Sequence, residues 1–112
     1  MKNKINIDEF LVISEQLEIT FGQITEAVRI PKSHGIKLIV DFGEGDVRSV
    51  FTNLGKTHEP DLLINLICPF VTNLTPVEIK GVMSEAMIMV GVGPNDEPEI
   101  TLDFIGIGTK LL

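Results

Sequence analysis

The stretch Ile36-Lys37-Leu38-Ile39-Val40-Asp41-Phe42-Gly43-Glu44-Gly45-Asp46-Val47-Arg48-Ser49-Val50-Phe51-Thr52-Asn53 decides the fold. Ile36, Leu38, Val40 and Phe42 take alternate positions, with Lys37, Ile39 and Asp41 between them. That period of two belongs to a strand with one buried face. Gly43-Glu44-Gly45-Asp46 supplies turn residues. The chain then returns with Val47 and Phe51 on one face and Arg48 and Thr52 on the other. A Gly-x-Gly pair after a strand also raises a phosphate-binding loop. Such a loop needs a third glycine and a following helix, and here a strand follows. The segment is a β-hairpin.

Working upstream, Leu17, Ile19 and Phe21 alternate with Glu18 and Thr20, and after Gly22 the apolar positions become Ile24 and Val28. A period-two pattern that slips at a glycine predicts a bulge or bend there. Pro31 ends this strand, and Lys32-Ser33-His34-Gly35 is loop. Residues 7–16 predict a short helix or turn capped by Asp8, with Phe10, Leu11 and Ile13 on its apolar side. It is too short to stand alone and must dock.

Downstream, Pro60 suits the first position of a short helix running to Asn65. Residues 66–72 and 86–92 are apolar on both faces, and Pro69 makes the first of them an edge strand or a bulged one. Between them lies Asn73-Leu74-Thr75-Pro76-Val77-Glu78-Ile79-Lys80-Gly81-Val82-Met83-Ser84-Glu85-Ala86-Met87. A hairpin needs about two connecting residues and most loops about 4–6. A longer, polar connection here shapes a surface. Residues 93–98 are an acidic loop, Ile100, Leu102 and Phe104 mark a last strand, and Leu111-Leu112 ends an apolar tail.

The order is strand, strand, strand, short helix, strand, strand. It predicts an all-β OB-fold, a five-stranded Greek-key barrel with one short helix between strands 3 and 4. At 112 residues the chain is expected to form one domain: an N-terminal arm 1–16, a barrel 17–92 and a C-terminal extension 93–112. Two strands apolar on both faces need a second cover. The N-terminal helix, the C-terminal tail or a partner subunit can provide it, and a homodimer is expected.

Composition narrows the function. With 44% apolar and 22% charged residues the chain is globular. Lys2 and Lys4 are followed by Asp8 and Glu9, without the apolar core of a signal peptide. The longest apolar run is about eight residues, against the ~20 that cross a bilayer. A cytoplasmic protein is expected, and the single cysteine, Cys68, leaves no internal disulfide. The net charge of −7 argues against a general polyanion binder. Residues 29–80, however, carry six basic and six acidic side chains, while the two ends hold three against ten. An anion site therefore belongs in the middle.

Catalytic and metal chemistry find little support. His34, His58 and Cys68 stand apart without ligand spacing, and Asp96, Glu97 and Glu99 lack the pattern of a calcium loop. Ser33 and Ser84 sit on no strand–serine–helix elbow. No catalytic residue, metal or cofactor is expected. Phe21, Phe42, Phe51 and Phe104 lie on the apolar phase of their strands, which predicts core packing. Within residues 73–87, Asn73 and Ser84 can read base edges and Lys80 can meet phosphate; Asn73 and Ser84 can equally cap local backbone.

Several motifs, taken in order, resemble the tRNA-binding domain family of OB-folds, closest to the CsaA-type stand-alone proteins. They are Ile7-Asp8-Glu9-Phe10, Leu17 to Gly22, Ile36 to Gly43, Arg48 with Thr52-Asn53-Leu54, and Pro60 to Leu66. Asn73-Leu74-x-Pro76, Gly81, Ser84-Glu85-Ala86-Met87 and Gly108-Thr109-Lys110 complete the set. The resemblance implies a non-enzymatic module that binds tRNA or other structured RNA, usually as a homodimer. Carried over by position, it points to Lys37, Arg48, Asn73, Gly81, Ser84 and Met87 as RNA-binding residues. The chain departs from the pattern at Thr20 and Met83, where the family often carries cations. The alternative is a chaperone-like dimer for unfolded or client protein, with Met83, Met87 and Met89 giving an adaptable apolar surface.

Overall fold

The computed structural model describes residues 2–92 and 98–99. Helix α1 (Ile7–Gln16) opens the chain. Asn6, not Asp8, caps it: its side-chain oxygen accepts from the Glu9 N–H at 2.8 Å, and its amide donates to the Glu9 carboxylate at 3.1 Å. The first bond satisfies one free N–H of the first turn and the second holds the capping side chain in place, and Asp8 and Glu9 favour the positive end of the helix.

Strands β1 (Ile19–Arg29), β2 (Ile36–Asp41), β3 (Val47–Thr52), β4 (Ile67–Val71) and β7 (Met87–Ile88) form one antiparallel sheet in the order β3-β2-β1-β4-β7. A hairpin of β5 (Val77–Ile79) and β6 (Val82–Ser84) stands between β4 and β7. β8 (Gly91–Val92) pairs with β9 (Pro98–Glu99). The sheet curls until the end of β6 reaches β3, where the Glu85 N–H donates to the Ser49 carbonyl at 2.9 Å. The result is the nearly closed five-stranded barrel of an OB-fold. The expected last strand at residues 100–104, with Phe104, and the tail beyond it lie outside the described residues.

The core is what the β2 pattern dictates. Ile36, Leu38 and Val40 are fully buried, joined by Ile24, Val50, Leu63, Cys68 and Phe70. Burying each large apolar side chain stabilises by roughly 1.5–3 kcal/mol. Phe42 meets Phe70 edge to face, centroids 5.3 Å apart.

Several expectations change. The bulge in β1 is not at Gly22 but at Thr25, which lies between the pairs Ile24↔Val40 and Glu26↔Ile39. The Thr25 hydroxyl donates to the Ile39 carbonyl at 3.2 Å. Gly22 answers a packing need instead: a Cβ there would lie 2.6 Å from Val40 Cγ1 and 2.7 Å from the Phe42 ring.

On β3 the inward face is Val50 and Thr52, because Val50 stands opposite the inward-facing Leu38. Val47 is therefore exposed, and Phe51 is half-buried on the outer face rather than packed in the core.

The short helix is two 3-10 turns, Leu54–Lys56 and Pro60–Leu62. Asn65, at φ 74°, ends that segment in a left-handed conformation that asparagine tolerates. β4 lies between β1 and β7, but β7 pairs only with Phe70 and Val71, so the ladder on that side stops at Pro69. The Pro69 carbonyl accepts from the Met89 N–H at 2.9 Å, but Pro69 has no N–H to return, and β7 ends at Ile88.

Candidate nucleic-acid interface

The long connection at residues 73–87 is mostly the β5–β6 hairpin. Ile79 and Val82 form its last pair, and Lys80 and Gly81 make the turn at φ 49° and 83°. Two positive φ values match the type I′ turn, whose twist suits a hairpin.

Four attachments fix this hairpin and its flanks to the barrel. The Ser84 hydroxyl accepts from the Phe51 N–H at 3.0 Å and donates to the Ala86 carbonyl at 3.0 Å. The Ser49 hydroxyl donates to the Met83 carbonyl at 2.5 Å. Arg48 Nη1 donates to the carbonyls of Thr72 at 2.6 Å and Glu85 at 3.4 Å, while Nε and Nη2 grip the Asp46 carboxylate at 2.9 and 3.1 Å. Asn73 accepts from the Glu18 N–H at 2.8 Å and donates to the Gln16 carbonyl at 2.5 Å. Arg48 also stands 5.3 Å over the Phe42 ring. The hydrogen bond to Asp46 raises the Arg48 pKa above its ordinary value against the opposing effect of burial, so this cation is permanent.

Between β3 and the hairpin runs a groove of about 500 Å³. Phe51 and Leu54 form one wall and Val77 and Ile79 the other, with Leu74 and Met87 also lining it. Phe51 takes its place there because Gly35 lies beneath it: a Cβ at residue 35 would come within 2.6 Å of the ring. Lys37 is the cross-strand partner of Phe51, and Lys80 follows Ile79 at the hairpin tip. Both lysine side chains are exposed, and neither forms a hydrogen bond or ion pair with the described residues. A second depression of about 350 Å³ includes Asp46, Arg48 and Glu85 among its lining residues; its two carboxylates would repel phosphate.

The residues singled out in the sequence thus divide. Lys37, Lys80, Gly81 and Met87 are exposed around the groove or at its hairpin. Arg48, Asn73 and Ser84 are engaged in holding the connection in place, and only Ser84 also lines the groove. Thr20 is buried and its hydroxyl lies 3.0 Å from that of Thr72. Met83 pairs with Glu78. Alternation along the hairpin puts that pair on the face away from Val77 and Ile79, so a cation at residue 83 would not face the groove. Phe51, Leu54, Leu74, Val77 and Ile79 are among the groove residues that sequence reading did not single out; the parity of Val50 with Leu38 carried the signal for Phe51. Among the described residues no group of three His, Cys, Asp or Glu side chains could hold a metal, and no helix is long and apolar enough to cross a membrane.

Fold and groove together define a small OB-fold binding module. The chain belongs to the putative tRNA-binding domain family, whose model matches residues 19–103. It is 38% identical over 89 residues to a methionine–tRNA ligase of Helicobacter pylori, covering 79% of this chain and 13% of that protein. It is 38% identical over 96 residues to the methionine–tRNA ligase of Methanococcoides burtonii, covering 85% of this chain and 14% of that protein. The chain therefore spans about one seventh of the length of these relatives. A crystal structure of the chaperone CsaA from Bacillus anthracis superposes with a TM-score of 0.77 at 26% identity, covering 98% of this chain and 100% of that one. A protein from Pyrococcus horikoshii described as related to methionyl-tRNA synthetase shares the fold, with a TM-score of 0.83 at 24% identity, covering 99% and 100%.

Proposed function

We propose that this chain binds structured RNA, tRNA in the first place, by holding an unpaired segment in the groove between β3 and the β5–β6 hairpin. The observation that carries this reading is the placement of Phe51. Among the described aromatic side chains, Phe21, Phe42 and Phe70 are buried in the core and Phe51 lines the groove. Unpaired bases stack on aromatic faces while cations follow the backbone. Lys37 beside Phe51 and Lys80 at the hairpin tip supply the cations. Filter binding of unfractionated tRNA tests this. Retention at low salt that weakens as salt rises is expected; no retention at low ionic strength would end the reading.

The working unit is a cytoplasmic homodimer of single-domain protomers. Ile7, Leu11 and Val12 of α1 are 68%, 48% and 58% exposed, so these three apolar side chains have gained little cover from the described residues. A second protomer would cover them. Sedimentation at micromolar concentration should give twice the chain mass.

A second reading is favoured by the groove's apolar lining: an extended apolar segment of an unfolded client protein in place of RNA. The similarity to the Bacillus anthracis chaperone supports it. Competition separates the two. A heat-unfolded client protein that displaces tRNA, and is kept from aggregating, places both ligands in the groove; tRNA retention untouched by client leaves RNA alone.

A further inference from the structure

Of the nine lysines and arginines in the chain, four come to one end of the barrel from separate segments. The register places Arg29 opposite Ile36, and Ile36 opposite Thr52. The β1–β2 loop closes through the Ile30 N–H donating to the Gly35 carbonyl at 2.9 Å. This loop packs on the 3-10 turn Leu54–Lys56 so closely that a Cβ on Gly55 would collide with the His34 carbonyl. Arg29 joins the two, donating to the Gly55 carbonyl at 3.0 Å and lying 3.5 Å from the Glu59 carboxylate. Lys32 is thereby carried on one loop, Lys56 on the other, and Lys37 on the adjoining outer face of β2.

The side chains of these three lysines are exposed and make no hydrogen bond or ion pair with the described residues. The carboxylates at this end of the same segments are Glu26, Glu59 and Asp61, Asp41 lying at the far end of β2 opposite Val47, and Glu59 is engaged by Arg29. In a chain of net charge −7, an end where cations outnumber carboxylates stands apart. Lys32 holds φ 60° at the loop, and Lys80 holds φ 49° at the hairpin tip. Glycine or asparagine adopts that left-handed conformation more readily than lysine. Glu44, at φ 53°, holds the same conformation in the β2–β3 turn, so this conformation belongs to the turns themselves, and the cations stand on their placement and charge.

We propose that Lys32, Lys37 and Lys56 form a cationic saddle that takes the phosphodiester backbone of RNA as it leaves the groove. The inference rests on the RNA reading above. Continuity supports it: the groove wall Phe51–Leu54 leads directly to Lys56, and Phe51 is the register partner of Lys37. Arg29 is the positioning residue that holds the two loops together.

The test is the double variant Lys32→Gln/Lys56→Gln, with unfractionated tRNA titrated by filter binding across a salt series. Each phosphate contact contributes about 0.7 to the log–log salt slope for single-stranded nucleic acid. The double variant should lose about 1.4 units of slope and bind more weakly at low salt, with an unchanged thermal midpoint. The comparison variant Phe51→Ala should weaken binding at every salt concentration with its slope intact. Wild-type affinity and slope in the double variant would overturn the saddle and leave the groove reading standing. Failure of the wild-type protein to retain tRNA would overturn both.

Discussion

The Nη1 of Arg48 lies 2.6 Å from the carbonyl oxygen of Thr72, so a cation on β3 ties down the exit of β4, the strand that leads into the β5–β6 hairpin. The same nitrogen reaches the Glu85 carbonyl on the far side of the hairpin. Arg48 therefore shapes the groove by joining both ends of the connection that forms its wall.

Replacing Arg48 with alanine removes hydrogen bonds from a charged donor, each worth about 1.5–3 kcal/mol. A loss of roughly 2 kcal/mol in unfolding free energy is expected, because the guanidinium is partly exposed. RNA affinity should fall while its salt slope stays at the wild-type value. A slope reduced by a full phosphate contact would make Arg48 a direct ligand instead.

Lys37→Gln and Lys80→Gln should behave in the opposite manner. Both side chains are exposed and unpaired among the described residues, so the melting temperature should hold. Each should reduce the salt slope of tRNA binding by about 0.7. A salt series with unchanged slopes would remove these lysines from the interface.

Gly35→Ala tests how Phe51 is positioned. The added methyl would meet the Phe51 ring at 2.6 Å and force it to move. Overpacking of this kind costs about 1–3 kcal/mol. tRNA affinity should fall further than stability alone explains, toward that of Phe51→Ala. Wild-type affinity in a folded Gly35→Ala protein would show that ring position is unimportant.

Gly22→Ala probes the core without touching the groove. Its Cβ would press on Val40 and Phe42, both buried and without room to yield. Destabilisation of about 1–3 kcal/mol is expected, read by urea unfolding, with RNA binding intact below the transition.

Leu11→Asp tests the dimer. Leu11 is 48% exposed on α1, so an isolated protomer should tolerate the change. A homodimer closed over α1 should dissociate, halving the mass seen by sedimentation. An unaltered mass would place the contact elsewhere.

The antiparallel fold was legible because alternation along residues 36–42 allows only one buried face, and Gly43 and Gly45 then turn the chain. The local pattern misled where two positions of equal polarity competed. Val47 and Val50 both invite burial; the register with Leu38 decides for Val50 and sends Phe51 outward. The slip after Gly22 was visible, but its cause was not. A glycine required by the close approach of Val40 and Phe42 looks the same in one dimension as a glycine required by a bulge.

Asn73 and Ser84 show the same limit in the site. Their residue types fit a ligand contact as well as a structural bond. Only the tertiary structure gives Asn73 the backbone of Gln16 and Glu18 as partners, more than fifty positions away in sequence. It likewise gives Ser84 the Phe51 N–H.

By itself the sequence determined the order of the barrel strands and the family, and its charge distribution made the middle of the chain the expected place for an anion site. Periodicity, turn chemistry and charge counts are properties of neighbours along the chain. The tertiary structure alone decided which lysines stand unpaired, that Phe51 lines a groove, and that Arg48 is a brace. Those depend on register and on the closure of β6 against β3, where hydrogen bonds between distant segments choose which face of each strand meets water.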